Sequence, residues 1–214
     1  DIAKPRQGLA TGDNDRFLRF WHEVSLNKIG FGIKDRTDAI ESKKRWFPCN
    51  KGGEYRKWYG NNDYIVNWEN DGFEIRNNID DKGKVKSRPQ NVDYYFKEGM
   101  TWSTLSSGSL GMRYSPQGHM FETKGSVCFA NDKEELPYLL ALMNSKIVNN
   151  VMSFISPTMD YHEGPLGKVP VKRSDLYMSE LTTLSNDNVS ISKKDWDIAP
   201  GITESEIVLN NDNG

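Results

Sequence analysis

The sequence predicts an α+β fold, an irregular twisted β-sheet with flanking helices. Three observations predict it. Short stretches alternate apolar side chains at every second residue, as in Tyr64, Val66 and Trp68, the period of a half-buried strand. Other stretches repeat at helical spacing: Phe17, Phe20, Trp21 and Val24, then Leu136, Leu140, Met143, Ile147 and Val151. The texture also changes after Asn131, from strand-like before it to helical beyond it.

Taken in order, residues 2–7 suit a short strand, which Pro5 confines to an edge because it has no N–H for a ladder. Gly8-Leu9-Ala10-Thr11-Gly12 is a turn, after which Asp13 or Asn14 caps a helix over 13–24. Residues 25–44 lack periodicity and read as a loop. A strand starts at Trp46-Phe47 and ends at Pro48. Residues 63–68 form a half-buried strand, with Tyr64, Val66 and Trp68 on one face and Ile65 and Asn67 on the other. Asn70-Asp71-Gly72 is a turn, and 73–76 is its returning hairpin partner. Residues 77–93, polar and rich in Lys and Asp, read as a mobile surface excursion. Residues 100–105 predict a strand and 106–111 a Ser/Gly loop. Ser115-Pro116-Gln117-Gly118 has turn chemistry and would join 112–114 to 119–122 as a hairpin. Residues 126–130 are a further strand. The helical run 136–155 is interrupted at Asn144-Ser145, where Ser145 can cap a second helix, and Pro157 ends it. Residues 174–184 predict another helix, and 186–214 are polar and frayed.

The 214 residues suffice for one large domain or a domain with an appendage. With 6 Trp, 9 Tyr and 9 Phe the chain can fill an ordinary core despite 27% charged residues. No apolar run approaches the ~20 residues needed to span a bilayer, and no signal peptide is visible. Cys49 and Cys128 read as two reduced thiols of a cytoplasmic protein. The chain starts at Asp1, not Met, and reads as a piece of a longer protein. The net charge of −2 hides an asymmetry: residues 1–60 hold 13 Lys/Arg against 8 Asp/Glu, and residues 126–214 hold 7 against 13. A basic front and an acidic back suit a protein that offers one face to nucleic acid.

Catalytic motifs are missing. Methylation of a base amino group uses a loop of two adjacent prolines and an aromatic to hold a flipped base, and the chain has no Pro-Pro. Gly30-Phe31-Gly32 lacks the preceding strand of a cofactor turn. Glu41-Ser42-Lys43, with Asp15, Asp35 and Asp38 upstream, has a nuclease-like form but reads as a solvated charge cluster. His22, His119 and His162 are scattered, and Asp160, His162 and Glu163 lack metal-loop spacing. No metal or cofactor site is therefore expected in the chain.

Binding is better supported. Residues 51–72 mix cations, large aromatics, amides and glycines in one short unit. Lys4, Arg6, Lys51, Arg56 and Lys57 are the candidate phosphate contacts; Gln7, Asn61, Asn62 and Arg113 are candidates for base edges or nearby sugar. Tyr64, Val66 and Trp68 read as one buried strand face, and Trp58 and Tyr59 as packed.

Four blocks carry a resemblance: Gly8-Leu-Ala-Thr-Gly-Asp-Asn-Asp-Arg-Phe-Leu-Arg-Phe-Trp-His-Glu-Val24, the stretch 51–72, Tyr94-Tyr-Phe-Lys-Glu-Gly-Met-Thr-Trp102, and Leu139-Leu-Ala-Leu-Met-Asn-Ser-Lys146. Together they resemble the region after the catalytic domain in large adenine-specific DNA methyltransferases. These are the PglX-type enzymes of BREX phage-defence systems and, next, single-chain type II restriction-modification methyltransferases. The resemblance implies a target recognition domain over 1–171, similar to TaqI-like and type I specificity-subunit domains. Residues 172–214 would then be a C-terminal helix and a polar, partly disordered tail. It also implies duplex DNA and an N-terminal methyltransferase domain as partners, other defence-system proteins as possible ones, and S-adenosylmethionine as cofactor of the parent enzyme only. The family's cofactor motif and Asn-Pro-Pro-Tyr motif would lie upstream. Cys49, where an aromatic is common, and Glu163-Gly164-Pro165, in place of an amide-rich stretch, depart from the pattern. Two alternatives stay open: a specificity subunit of a multi-chain restriction complex, and a protein-interaction domain binding a defence partner or a phage DNA mimic.

Overall fold

The structure, a computed structural model, describes residues 2–106, 108–158 and 160–198. In chain order its strands are β1 (Ala3–Arg6), β2 (Leu18–Phe20), β3 (Trp46–Asn50), β4 (Tyr64–Asn67), β5 (Gly99–Trp102), β6 (Met112–Ser115), β7 (Met120–Phe121) and β8 (Val127–Ala130). Its helices are α1 (Asn14–Phe17), α2 (Arg36–Glu41), α3 (Glu69–Arg76), α4 (Leu136–Met143), α5 (Lys146–Ile155), α6 (Glu163–Leu166) and α7 (Asp175–Ile198). The α+β class holds, but the strands make two four-stranded sheets, not one: β1-β8-β5-β6 and β2-β4-β3-β7. The first sheet is antiparallel throughout, whereas β3 and β7 of the second run parallel.

Alternation along β8 shows how the layers stack. Val127 and Phe129 point into a core shared with Phe47, Val66 and Phe121 of the second sheet. Cys128, between them, points into a second core with Met100, Trp102 and Met112, closed by Leu139, Leu140 and Met143 of α4 and by Val148 and Met152 of α5. Met178, Leu181 and Val189 of α7 pack on this second core. A smaller cluster of Ile29, Trp46 and Ile65 covers the outer face of the second sheet. Strand β4 is therefore buried on both faces, not half-buried, with Ile65, Val66 and Asn67 at 1%, 0% and 2% exposure.

Pro5 lies on edge strand β1, as its missing N–H requires. Pro48 does not end its strand. It sits at a change of partner, since β3 pairs with β4 through Pro48 and with β7 from Cys49 onward. A residue that cannot donate is accommodated at that changeover.

Four expectations are corrected. Asp13 accepts from the Arg16 N–H as a cap, but the helix lasts only from Asn14 to Phe17. Leu18, Arg19 and Phe20 leave it to pair with Val66, Ile65 and Tyr64, so ladder bonds and the Phe20–Tyr64 ring contact at 4.7 Å replace helical ones. Residues 25–44 contain a helix, α2, capped by the Asp35 carboxylate on the N–H groups of Thr37 and Asp38. The 112–122 hairpin does not form. Strand β6 joins β5 and β7 joins β3, while the Gly118 N–H is held by the Phe96 carbonyl at 3.0 Å. Finally, α7 continues through residues read as frayed, to Ile198; the rest of that stretch, 199–214, lies outside the described residues.

The 70–76 hairpin is also replaced, and one carboxylate explains how. Asn70, Asp71 and Gly72 all adopt left-handed backbone, φ 51, 58 and 75, which turns the chain into a helical turn over 73–76. Gly72 has no alternative, because a Cβ there would stand 2.4 Å from the Trp68 ring. The Asp71 carboxylate accepts two bonds from Arg36, at 2.9 and 2.5 Å, and one from Arg76 at 3.2 Å. Partial burial works against its charge, but the two guanidiniums outweigh burial and hold its pKa below the usual carboxylate range. A carboxyl lowered in the folded state contributes stability above the unfolded pKa and loses it as pH falls through the folded value. Asp71→Asn, which still tolerates left-handed backbone, is expected to cost roughly 1–2 kcal/mol at neutral pH. Urea unfolding across pH checks this: the difference from wild type should shrink steadily as pH is lowered below the ordinary carboxylate range.

Candidate nucleic-acid interface

The segment 51–62 is shaped by the exposed edge of β6. Trp58, with φ 70, runs beside this strand and exchanges backbone bonds with it, its N–H to Met112 O at 2.8 Å and its carbonyl to Tyr114 N–H at 2.7 Å. Asn144, at the end of α4, completes the seal: its amide accepts from Met112 N–H at 2.9 Å and donates to Met112 O at 3.0 Å. Lys57 is drawn into this arrangement, its ammonium donating to the Asn144 carbonyl at 2.9 Å. Asn61 is 8% exposed, takes φ 61 and donates to Glu54 O at 2.9 Å, so it holds the loop together.

Three of the sequence-predicted residues meet around Tyr64. Lys51 places its ammonium 4.3 Å from the centre of that ring. The aromatic surface continues from Tyr64 through Phe20, 39% exposed, to His22, stacked on Phe20 at 5.5 Å. Lys51, Arg19, Phe20 and Tyr64 line one open cleft, which Asp15 and Glu23 also border. Tyr64 lines a second, smaller cleft with Asn62, Tyr59 and Trp21. Arg56 stands at that cleft, its guanidinium 4.9 Å from the centre of the Trp196 ring, which lines it, and 3.3 Å from Asp195.

Lys4, Arg6 and Gln7 belong elsewhere, on the β1 edge of the first sheet. Lys4 is exposed. Arg6 and Lys97 both lie over the Tyr94 ring, at 5.3 and 5.2 Å. Gln7 is engaged by Gln90 at 3.0 Å and, through its carbonyl, by Asn91 at 2.9 Å. Arg113 is 1% exposed, in the middle of β6 opposite Thr101, and reaches no surface. Burial, aided by the charge of Arg56, lowers its pKa to about 10. Sequence reasoning missed Arg19 and Arg45, whose guanidiniums both approach the Trp46 ring at 5.9 Å, and it missed Lys97, Asp195 and Trp196. Cations flanked by aromatics were the available signal for the first three.

Both cysteines are buried, and desolvation raises their pKa, that of Cys128 to about 12. Asp35 and Asp38 are committed to backbone N–H groups around α2. Among the described residues no three His, Cys, Asp or Glu side chains converge as metal ligands, and no helix is long and apolar enough to cross a membrane.

No family model matches the chain. Its sequence is similar to one part of adenine-specific methyltransferases. The chain is 41% identical over 197 residues to the adenine-specific methyltransferase PglX of Lacticaseibacillus casei (strain Zhang), covering 92% of the chain and 16% of that protein. It is 41% identical over 194 residues to the adenine-specific methyltransferase BrxX of Escherichia coli O9:H4 (strain HS), covering 89% of the chain and 14% of that protein. The chain thus corresponds to about one-sixth to one-seventh of the length of these relatives.

The buried position of Arg113 yields a stability test. Arg113→Met removes a desolvated charge while keeping most of the side-chain volume and is expected to change stability by no more than about 1 kcal/mol. Arg113→Ala leaves a cavity at a closed site and is expected to cost about 3 kcal/mol. Urea denaturation of the two variants measures the contrast.

Proposed function

We propose that this chain is the DNA target recognition domain of an N6-adenine DNA methyltransferase of the BREX type. The observation that carries the reading is a disproportion. A unit with its own hydrophobic cores matches over 92% of its own length yet covers only 16% of an adenine-specific methyltransferase, and it contains no adjacent prolines. Such a unit serves the enzyme without containing its base-holding loop. The parent enzyme would bind S-adenosylmethionine in a separate domain, and this domain would present one adenine of its site for methylation. Kinship of the fold with TaqI-like recognition domains is part of the same proposal.

Duplex DNA is read, in this proposal, by the face around Tyr64. Lys51 and Arg19 supply phosphate contacts, Phe20 and Tyr64 a flat apolar surface, and Asn62 an amide suited to adenine. Lys4, Arg6 and Lys97 form a second basic cluster that can follow the backbone beyond the site. A lysine held over an aromatic ring keeps its charge and loses side-chain freedom before DNA arrives.

Fluorescence anisotropy on mixed-sequence duplexes at low salt tests the reading. Lys51→Ala is expected to weaken binding uniformly across sequences and to reduce the slope of log K against log salt by about 1. An unchanged slope rejects the phosphate role of Lys51. Absence of binding by the intact chain at tens of micromolar (well inside the ~10⁻⁴–10⁻⁶ M range of non-specific binding) would favour a protein partner over DNA.

A further inference from the structure

One wall of the cleft beside Arg56 comes from the end of α7, and its composition is instructive. The last described turns of α7 lie across segment 56–62. The Asp195 carboxylate stands 3.3 Å from the Arg56 guanidinium, and the Trp196 indole lies 4.9 Å from the same group, over its plane of charge. Trp196 lines this cleft together with Trp21, Phe31, Tyr59 and Tyr64 and with Asn62. It comes so near Gly60 that a Cβ there would stand 2.9 Å from the indole and 2.4 Å from Arg56 Cδ. Lys193 reaches back over the Tyr59 ring at 5.2 Å. An anion bonded to arginine, next to a flat bicyclic heteroaromatic among aromatic walls, is the chemistry of a nucleotide: a phosphate and an unstacked base.

We infer that Arg56 and the aromatic cleft beside it bind a single unstacked nucleotide of a DNA strand when the end of α7 moves aside, and that Asp195 and Trp196 engage Arg56 in its absence as an intramolecular stand-in. The site extends the nucleic-acid reading above, but it takes a strand and not a duplex, so each can fail without the other. Asp195 holds the place of the phosphate and Trp196 that of the base. Gly60 is required because both Arg56 and the indole press on it, and Arg56 serves whichever ligand is present. The competition is local and ionic: Arg56 is about one-third exposed and Asp195 three-quarters exposed, so the clasp can open without unfolding the core.

The test uses the full 214-residue chain and a fluorescein-labelled mixed-sequence DNA strand of roughly a dozen nucleotides, a length suited to a single-strand site. Asp195→Ala/Trp196→Ala is expected to bind the strand about tenfold more tightly than wild type, one stacking position having been vacated. Adding Arg56→Ala should abolish that gain. Asp195→Asn, which keeps the size of the side chain, is expected to give a smaller gain of roughly threefold and decides the matter if the double variant melts early. Equal affinity of wild type and Asp195→Asn with equal affinity of the double variant overturns the proposal, as does a gain that survives Arg56→Ala. A 24-bp duplex measured in parallel separates the readings: loss of duplex binding by wild type, with the strand effect intact, sinks duplex recognition alone.

Discussion

The inner strands β5 and β8 of the first sheet are buried on both faces, and most of the architecture depends on that constraint. Val127 and Phe129 serve one core and Cys128 the other, so a strand of four residues cements three layers. Burying each such apolar side chain contributes roughly 1.5–3 kcal/mol, and here neither side of β8 is left to water. Polar groups on the sheet's outer edge then need partners from within the protein. Trp58 and Asn144 provide them for β6, and in doing so they fix the course of segment 51–62. The position of Arg56, Asn62 and Tyr64 at one surface is therefore a by-product of closing a core.

The charge asymmetry of the sequence acquires a structural meaning. Several basic residues of the front half rest on aromatic rings: Arg6 and Lys97 on Tyr94, Lys51 on Tyr64, Arg19 and Arg45 on Trp46. Each contact contributes about 0.5–1 kcal/mol where exposed, enough to orient a side chain without neutralising it. The acidic back half meets the basic front in the ion pair of Asp195 with Arg56. Arg113 follows the opposite rule. It gave up the surface, and burial depresses its affinity for the proton.

Local pattern was readable and long-range choice was not. A strand within 63–68 (though not its burial on both faces), the edge position of Pro5 and the cap at Ser145, which accepts from Val148 N–H, were legible because each depends on neighbours in sequence. The helix over 13–24 failed because Leu18, Arg19 and Phe20 found β4, some 46 residues away, a better partner than the next helical turn. The 112–122 hairpin failed because its two arms belong to different sheets, which no turn motif discloses. Within the candidate site, composition located the segment 51–62 but could not separate a cation on the surface from one in the core. Arg113 alternates with Met112 and Tyr114 as any strand residue would, and only its partner Thr101, itself 1% exposed, reveals that its face is covered.

The sealed outer strands of the first sheet also bear on how this protein behaves in a crowded solution. An open strand edge offers another chain a row of unpaired N–H and C=O groups to continue. Here one margin presents Pro5 between Lys4 and Arg6, a break flanked by repelling charges, and the other is occupied by Trp58 and the Asn144 amide. A neighbouring molecule finds no ladder on this sheet to extend. The same side-chain amide that looks like a detail of helix termination is thus a guard against edge-to-edge aggregation.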